Sequence, residues 1–231
     1  MSGERADAHA GESLTRAPIR VLIVDDHEVL SASLARVIDD EPDMIAVGQA
    51  RNLAQARTRV QTGTPDVTLL DRRLPDGDGI EAIPDLLALR PSMNVVVLTA
   101  TVADNVLIRA IEVGAAGFVS KTRGLGEVTS ALRAAATGEA VISPGLLSRL
   151  LPQLARTERP EPQLTKREQE VLGMISRGMS NSAMAEEMTV SVNTVRNHIA
   201  NLSAKLGAHS KLEALAIAVQ NGLCDPWSAS Q

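Results

Sequence analysis

The stretch Ile19–Leu30, IRVLIVDDHEVL, decides how the rest of the chain is read. A short apolar run rich in β-branched residues, Ile19–Val24, ends in two aspartates, Asp25 and Asp26, and a helix-period segment, Val29–Ile38, follows. Runs of this kind form strands buried on both faces, and such strands belong to parallel sheets covered by helices. The alternation then repeats. Met44–Val47, Val67–Leu70, Asn94–Leu98 and Phe118–Val119 are further short runs of strand character. Leu53–Val60, Ile80–Leu89, Val102–Val113 and Leu125–Thr137 carry helical spacing. Five βα units predict an α/β domain: a five-stranded parallel sheet with helices on both faces, joined by right-handed crossovers.

Ligands of such sheets gather at the carboxyl ends of the strands. Asp25 and Asp26 end the first strand and Asp71 ends the third. In flavodoxin-like order these strands are neighbours, so the carboxylates crowd and repel. A hard divalent cation relieves that repulsion, and an all-oxygen set favours Mg2+. Thr99 ends the fourth strand with a hydroxyl, and Lys121 follows the fifth with an ammonium. A carboxylate nucleophile, a magnesium ion, a hydroxyl and a lysine are the parts of an aspartyl-phosphate site. Each residue alone is an ordinary loop or surface residue. Their joint placement at four strand ends carries the signal.

Composition narrows the remaining classes. The 231 residues suit one large or two small domains, and 44% are hydrophobic. The single cysteine, Cys224, allows no internal disulfide and no zinc cluster, and reads as a small hydrophobe. No apolar run approaches the roughly 20 residues a bilayer demands, and the charged start MSGERADAHAGESLTRAP is no secretory signal. No membrane association and a cytoplasmic location are expected. Residues 1–18 read as a disordered tail. The net charge of −5 belongs to the part before Gln163; from there on, six basic residues meet six acidic ones. Any DNA contact must therefore come from local placement of charge. With only Phe118 and Trp227 as aromatics, a base-stacking platform is excluded.

After Gly138 the pattern changes. Residues 139–163 read as a linker, with a short helix around Leu146–Leu154 and the proline-rich ARTERPEPQ, Ala155–Gln163, at its end. Residues 164–224 show no strand pattern and read as four short helices, a small all-α domain, followed by a tail at 225–231. Thr165 and Glu168 form a capping box for the first helix. Ser180 caps the second and Ser191 the third, Val192–Leu206. In the third helix Val192, Val195, Ile199, Leu202 and Leu206 make a core stripe, and the opposite face is polar and rich in Asn. Such a face fits a major groove, although many solvated surface helices share the pattern.

Two sets of motifs then point the same way. IRVLIVDDHEVL, LLDRRLPDGDG, VVVLTAT and GAAGFVSK resemble the signature segments of response-regulator receiver domains, over about Arg20–Gly138. LTKREQEVL, GMSNSAMAEEM and VNTVRNHIANLSAKLG resemble the LuxR-type helix-turn-helix, over about Leu164–Leu223. The whole chain is similar to NarL/FixJ family two-component response regulators, with receiver 19–138 and helix-turn-helix 164–224. The resemblance implies Asp71 as phosphoacceptor. It implies Asp25, Asp26, Asp71 and the backbone carbonyl of Arg73 as Mg2+ ligands, Thr99 and Lys121 as phosphoryl contacts, and Phe118 as the switch aromatic. It implies DNA contacts from Thr194, Arg196 and Asn197, with Lys205 on phosphate and His198 as a phosphate contact or packing residue. It implies a dimer through the last helix, with Leu212, Leu215 and Val219 on one face. A histidine kinase and a partly palindromic double-stranded DNA site are the implied partners, with homodimerisation on activation.

Two departures, two tuning positions and two rivals accompany that resemblance. Thr122 follows Lys121 where many receivers carry proline, Ala200 stands where some members carry lysine, and Arg73 and Thr101 occupy positions that tune self-dephosphorylation. An enzyme on the same scaffold is the first rival. No G-x-G-x-x-G and no P-loop is present. An aspartate-based phosphatase would place a second acid where Arg73 stands. No enzymatic turnover is therefore expected beyond weak self-dephosphorylation. The second rival is a regulator that works without phosphorylation, and the intact set of Asp, Thr and Lys argues against it.

Overall fold

The computed structural model describes residues 17–100, 103–121, 125–154 and 164–224. The tail through residue 16, Thr101, Thr122, the linker 155–163 and the tail 225–231 with Trp227 lie outside the described residues. Strands β1 (Ile19–Val24), β2 (Met44–Ala50), β3 (Val67–Asp71), β6 (Asn94–Thr99) and β7 (Gly117–Ser120) form one parallel sheet in the order β2-β1-β3-β6-β7. Between them run helices α1 (Glu28–Asp39), α2 (Leu53–Gly63), α3 (Ile83–Leu89) and α4 (Asp104–Glu112), and α5 (Leu125–Ala136) follows β7.

Strand alternation sorts the apolar side chains into two cores. Val21, Ile23, Leu69, Val96 and Leu98 pack with Leu34 and Ile38 of α1 and Val128 and Leu132 of α5. Leu22, Val24, Leu70, Val95 and Val97 pack on the other face with Ala56 and Val60 of α2 and Ile83, Leu86 and Leu87 of α3. Helices on both faces are the expected arrangement, and the inner strands β3 and β6 are buried on both sides for that reason.

The third helix was expected from Ile80, and it starts at Ile83. The residues before it belong to a tight hairpin of β4 (Arg73–Leu74) and β5 (Gly77–Asp78). The Gly79 N–H donates to Arg72 O at 2.6 Å, and a Cβ on Gly79 would collide with the Asp71 carbonyl. Glycine there lets the hairpin fold back onto the end of β3. Asp76 ties the same hairpin to α2: its carboxylate accepts the N–H groups of Leu53 at 2.8 Å and Ala54 at 3.1 Å. Burial pushes the Asp76 carboxyl up, but those backbone donors outweigh it and hold it below its usual range.

After α5 the chain turns at Gly138 and lies along the sheet edge. Phe118 N–H donates to Val141 O at 2.9 Å, and Val141 N–H donates to Ala116 O at 3.0 Å. Helix α6 (Pro144–Leu154) follows, starting two residues before the expected Leu146. Helices α7 (Lys166–Ser176), α8 (Asn181–Glu187), α9 (Val192–Leu206) and α10 (Lys211–Gln220) make the carboxyl-terminal unit. The capping box of Thr165 and Glu168 is present, and Ser180, Ser191 and Ser210 cap α8, α9 and α10 through their hydroxyls. Among the described residues no helix is long and apolar enough to cross a membrane.

Candidate phosphoacceptor site and DNA-reading helix

Parallel register brings four strand ends to one edge. Val24 pairs with Leu70, Asp71 with Leu98, and Thr99 with Ser120. Asp25 is fully buried, Asp71 and Thr99 nearly so. Lys121 joins the carboxylates: its Nζ lies 2.8 Å from Asp25 Oδ2 and 2.7 Å from Asp71 Oδ2. Its backbone N–H donates to the Thr99 carbonyl at 2.9 Å. Burial pulls the Lys121 ammonium toward a lower pKa, but hydrogen bonds and charge from Asp25 and Asp71 outweigh this and raise it. Lys121 is therefore a cation at any ordinary pH. Burial is also the largest influence on Asp71. Aided by the Asp25 charge, it raises that carboxyl above its usual range against the pull of Lys121 and the Arg73 N–H.

Asp25, Asp26, His27 and Asp71 each offer a ligand atom, and these atoms lie within 4.8 Å of one another. Such a set fits a hard divalent cation in its carboxylates. His27 was not singled out from sequence. Its Nδ1 lies 3.0 Å from both Asp25 Oδ1 and Asp26 Oδ1, so an imidazole shares the acidic cluster. Arg73 contributes backbone at the site while its side chain faces solvent. Phe118 is half-buried and lines a cavity of about 290 Å³ with Thr99, Leu107, Val141, Ile142 and Leu146. Phe118, the end of the Thr99 strand and the segment after α5 thus share one space.

In the carboxyl-terminal unit, α9 presents Asn193 and Asn197 to solvent, with Thr194, Arg196 and His198 half-buried. Thr194 Oγ1 lies 2.9 Å from Ser191 Oγ at the helix start. Lys205 pairs with Glu168 at 2.7 Å, which holds the Glu168 carboxyl below its usual range. That lysine is engaged inside its own domain here. Arg196 and Ala200 line a cleft of about 230 Å³ with Asn94, Thr137 and Gly138 of the α/β unit, and Arg196 Nε is buried without a hydrogen-bond partner.

The two units are docked. Leu107 and Ile111 of α4 enter the same apolar cluster as Leu147, Leu150 and Leu151 of α6 and the cores of α7 to α10. Ser210 Oγ donates to Ala115 O at 3.0 Å, and Gln220 Nε2 donates to Glu112 Oε1 at 3.2 Å. This corrects one expectation for the present arrangement. Leu212, Leu215 and Val219 were assigned to a dimer face, yet all three are buried within the single chain. As docked, they cannot also face a second copy.

A flavodoxin-like sheet with an acidic, lysine-bridged edge, joined to a four-helix unit with a capped DNA-reading helix, defines a response regulator with a DNA-binding output. Comparison with known proteins agrees. Residues 21–133 match the response regulator receiver domain, and residues 162–218 match the luxR family of bacterial regulatory proteins. The chain is similar to the DNA-binding transcriptional activator DevR/DosR of Mycobacterium tuberculosis, with 34% identity over 87% of this chain and 94% of that one. It is also similar to the transcriptional regulatory protein LiaR of Bacillus subtilis, with 32% identity over 89% and 99% of the two chains. A solved LuxR-family two-component response regulator from Aurantimonas sp. SI85-9A1 superposes with a TM-score of 0.55 at 26% identity, over 59% of this chain and 98% of that one. The chain belongs to the NarL/FixJ family of two-component response regulators, and its function is regulation of transcription through a LuxR-type helix-turn-helix.

Proposed function

We propose that Asp71 is the phosphoacceptor, that Mg2+ is its cation, and that phosphorylation frees a docked helix-turn-helix to bind DNA. The single observation that carries this reading is the Lys121 ammonium bridging Asp25 and Asp71 at the end of a sheet whose next strand ends in Thr99. An Asp71 carboxylate oxygen attacks the phosphorus of a phosphohistidine on a sensor kinase. The N–P bond breaks, the histidine nitrogen keeps the electron pair, and Asp71 becomes an acyl phosphate. Asp25, Asp26, Asp71 and the Arg73 carbonyl would hold the cation, which neutralises charge on the transferring group when bound. Lys121 turns from Asp71 to a phosphoryl oxygen, and the Thr99 hydroxyl donates to another. Phe118 then follows Thr99 into the cavity they share.

The output half of the proposal rests on the docking. Arg196 faces a cleft, and a recognition helix enters a major groove only with its outer face clear. Thr194, Arg196, Asn197 and His198 are assigned to DNA, with Lys205 reaching phosphate once it leaves Glu168. Release of α10 from α4 would expose surface for a homodimer on a partly palindromic site. The boundaries assigned are 19–138 for the receiver, 139–163 for the linker and 164–224 for the DNA-binding domain. We assign no enzymatic turnover beyond loss of the protein's own phosphoryl group, and place the protein in the cytoplasm with its kinase and DNA.

The test is incorporation of label from radioactive acetyl phosphate with Mg2+ into wild type and Asp71→Ala. Wild type is expected to take up label and the variant none. Equal labelling would show that Asp71 is not the acceptor.

A further inference from the structure

We propose that Glu139 is a clasp that holds this regulator in its docked form, and that the pairing of β7 with Val141 connects the clasp to the phosphorylation site. The inference rests on the docked arrangement described above and assigns its control to a residue that neither family motif contains.

Glu139 is the first residue of the linker, in the turn just after α5, yet both of its oxygens are used by the DNA-binding domain. Oε1 accepts the backbone N–H of Asn181, the first residue of α8, at 2.7 Å. Oε2 accepts from Lys211 Nζ at 3.3 Å. Lys211 is the first residue of α10, and its side chain is 4% exposed. Its other acceptors, the Met179 carbonyl at 3.0 Å and Asn181 Oδ1 at 3.1 Å, are neutral and lie in its own domain. Burial pulls the Lys211 ammonium to a lower pKa, and the Glu139 charge and hydrogen bond offset part of that. The carboxylate that compensates this buried cation thus comes from outside its own domain, from the linker at the receiver's edge. It is supplied only while the domains are docked. Charge-assisted hydrogen bonds in partly dry surroundings are among the stronger polar contacts.

The position of Glu139 along the chain gives it a route to the switch. Two residues on, Val141 accepts from Phe118 N–H and donates to Ala116 O, so the segment is stitched to β7 as an extra edge. A Cβ on Gly117 would collide with Val141, which leaves that pairing no slack. Val141 and Ile142 also line the cavity that holds Thr99 and Phe118. Movement of Phe118 into that cavity must shift Val141, and a shift of Val141 pulls on Glu139. A contact made at fixed geometry with a backbone N–H and a buried ammonium tolerates little displacement. The clasp therefore opens when the switch moves. No part of this route needs a change inside the helix-turn-helix.

The experiment uses the full chain, wild type and Glu139→Gln, each with and without beryllofluoride and Mg2+. Two readouts are taken: the radius of gyration in solution without DNA, and affinity for a double-stranded oligonucleotide selected by the beryllofluoride-treated wild type from a random library. Glu139→Gln keeps the size and one acceptor of the side chain and removes its charge. The untreated variant is expected to be more extended than untreated wild type. Its DNA affinity is expected to rise about ten-fold, the equilibrium factor of one charge-assisted hydrogen bond. Treated wild type and treated variant are expected to bind alike. An unchanged radius and affinity in the untreated variant would overturn the clasp. Weaker binding in both states would also overturn it, by showing that Glu139 merely supports the DNA-binding fold. If wild type itself fails to respond to beryllofluoride, phosphorylation control is what fails, and the radius of the untreated variant still decides on the clasp.

Discussion

The two ends of the β6 strand do opposite work. At its carboxyl end Thr99 meets Asp71 and Lys121 in a site that is already assembled. At its amino end Asn94 lines the cleft that receives Arg196. The strand runs six residues, so five steps, about 17 Å at roughly 3.3 Å each, separate the two. The upper site is a compact set of charges fixed by register. The lower interface is a broad apolar contact with a few polar ties, and the same helix α10 serves as core and as docking surface. Chemistry at one end therefore has to bias a packing equilibrium at the other. A ligand shifts such an equilibrium only by its differential affinity for the two states. Under the proposed function, that difference comes from the groups a phosphoryl group on Asp71 would move, namely Lys121, Thr99 and Phe118.

Substitutions that strike one end and spare the other sharpen this contrast. The largest effect is expected from Lys121→Met. It leaves Asp25 and Asp71 facing each other without their cation, and breaking a buried ion pair by removing one partner costs about 3 kcal/mol. Urea unfolding at pH 7 should show that loss, and saturating Mg2+ should recover part of it. The helix-turn-helix contacts should survive, so an equal loss of docking would mean that the two ends are not separate.

Ile111→Ala strikes the lower end. It empties space beneath α10 and should cost about 2 kcal/mol. Part of that loss should emerge as undocking, seen as faster hydrogen exchange in α10 with the phosphorylation rate unchanged. Changed phosphorylation would place Ile111 in the upper site instead.

Asp71→Asn has a smaller effect, of opposite sign. Burial raises the Asp71 carboxyl in the folded protein, so the folded state binds its proton more tightly than the unfolded chain does. Between the ordinary carboxylate pKa and the raised one, stability falls as pH rises. At neutral pH the ionised carboxylate is a burden, and its removal should stabilise the receiver by about 1 kcal/mol. The gain should vanish once the pH drops below the ordinary carboxylate range. Melting curves across pH check both parts. The smallest effect is expected from His27→Ala, which removes an imidazole from Asp25 and Asp26 and should tighten Mg2+ binding by about two-fold in a calorimetric titration.

The same contrast explains what could be read from the sequence. The upper site was legible because its residues stand at the ends of apolar runs, and parallel register alone brings strand ends together. The β4–β5 hairpin was not. Its strands have two residues each, too short for any alternation, and the apolar Ile80 and Ala82 imitate a helix start. His27 was missed because nothing in its spacing marks it. The lower interface was legible only as an amphipathic pattern. Leu212, Leu215 and Val219 were recognised as one apolar face, but a pattern does not say whether a face meets its own chain or another. Glu139 carried no signal, since its partners Asn181 and Lys211 lie 42 and 72 residues further on.

On the proposed function, occupancy of Asp71 controls access of the recognition helix to DNA. The most direct measurement is the affinity of the full chain for its selected oligonucleotide with and without beryllofluoride and Mg2+, beside Asp71→Ala under the same conditions. Beryllofluoride is expected to tighten binding of wild type by about ten-fold or more, the range of ordinary allosteric couplings, and to leave the variant unchanged. Equal affinity of wild type in both conditions, or an equal response in the variant, would contradict it.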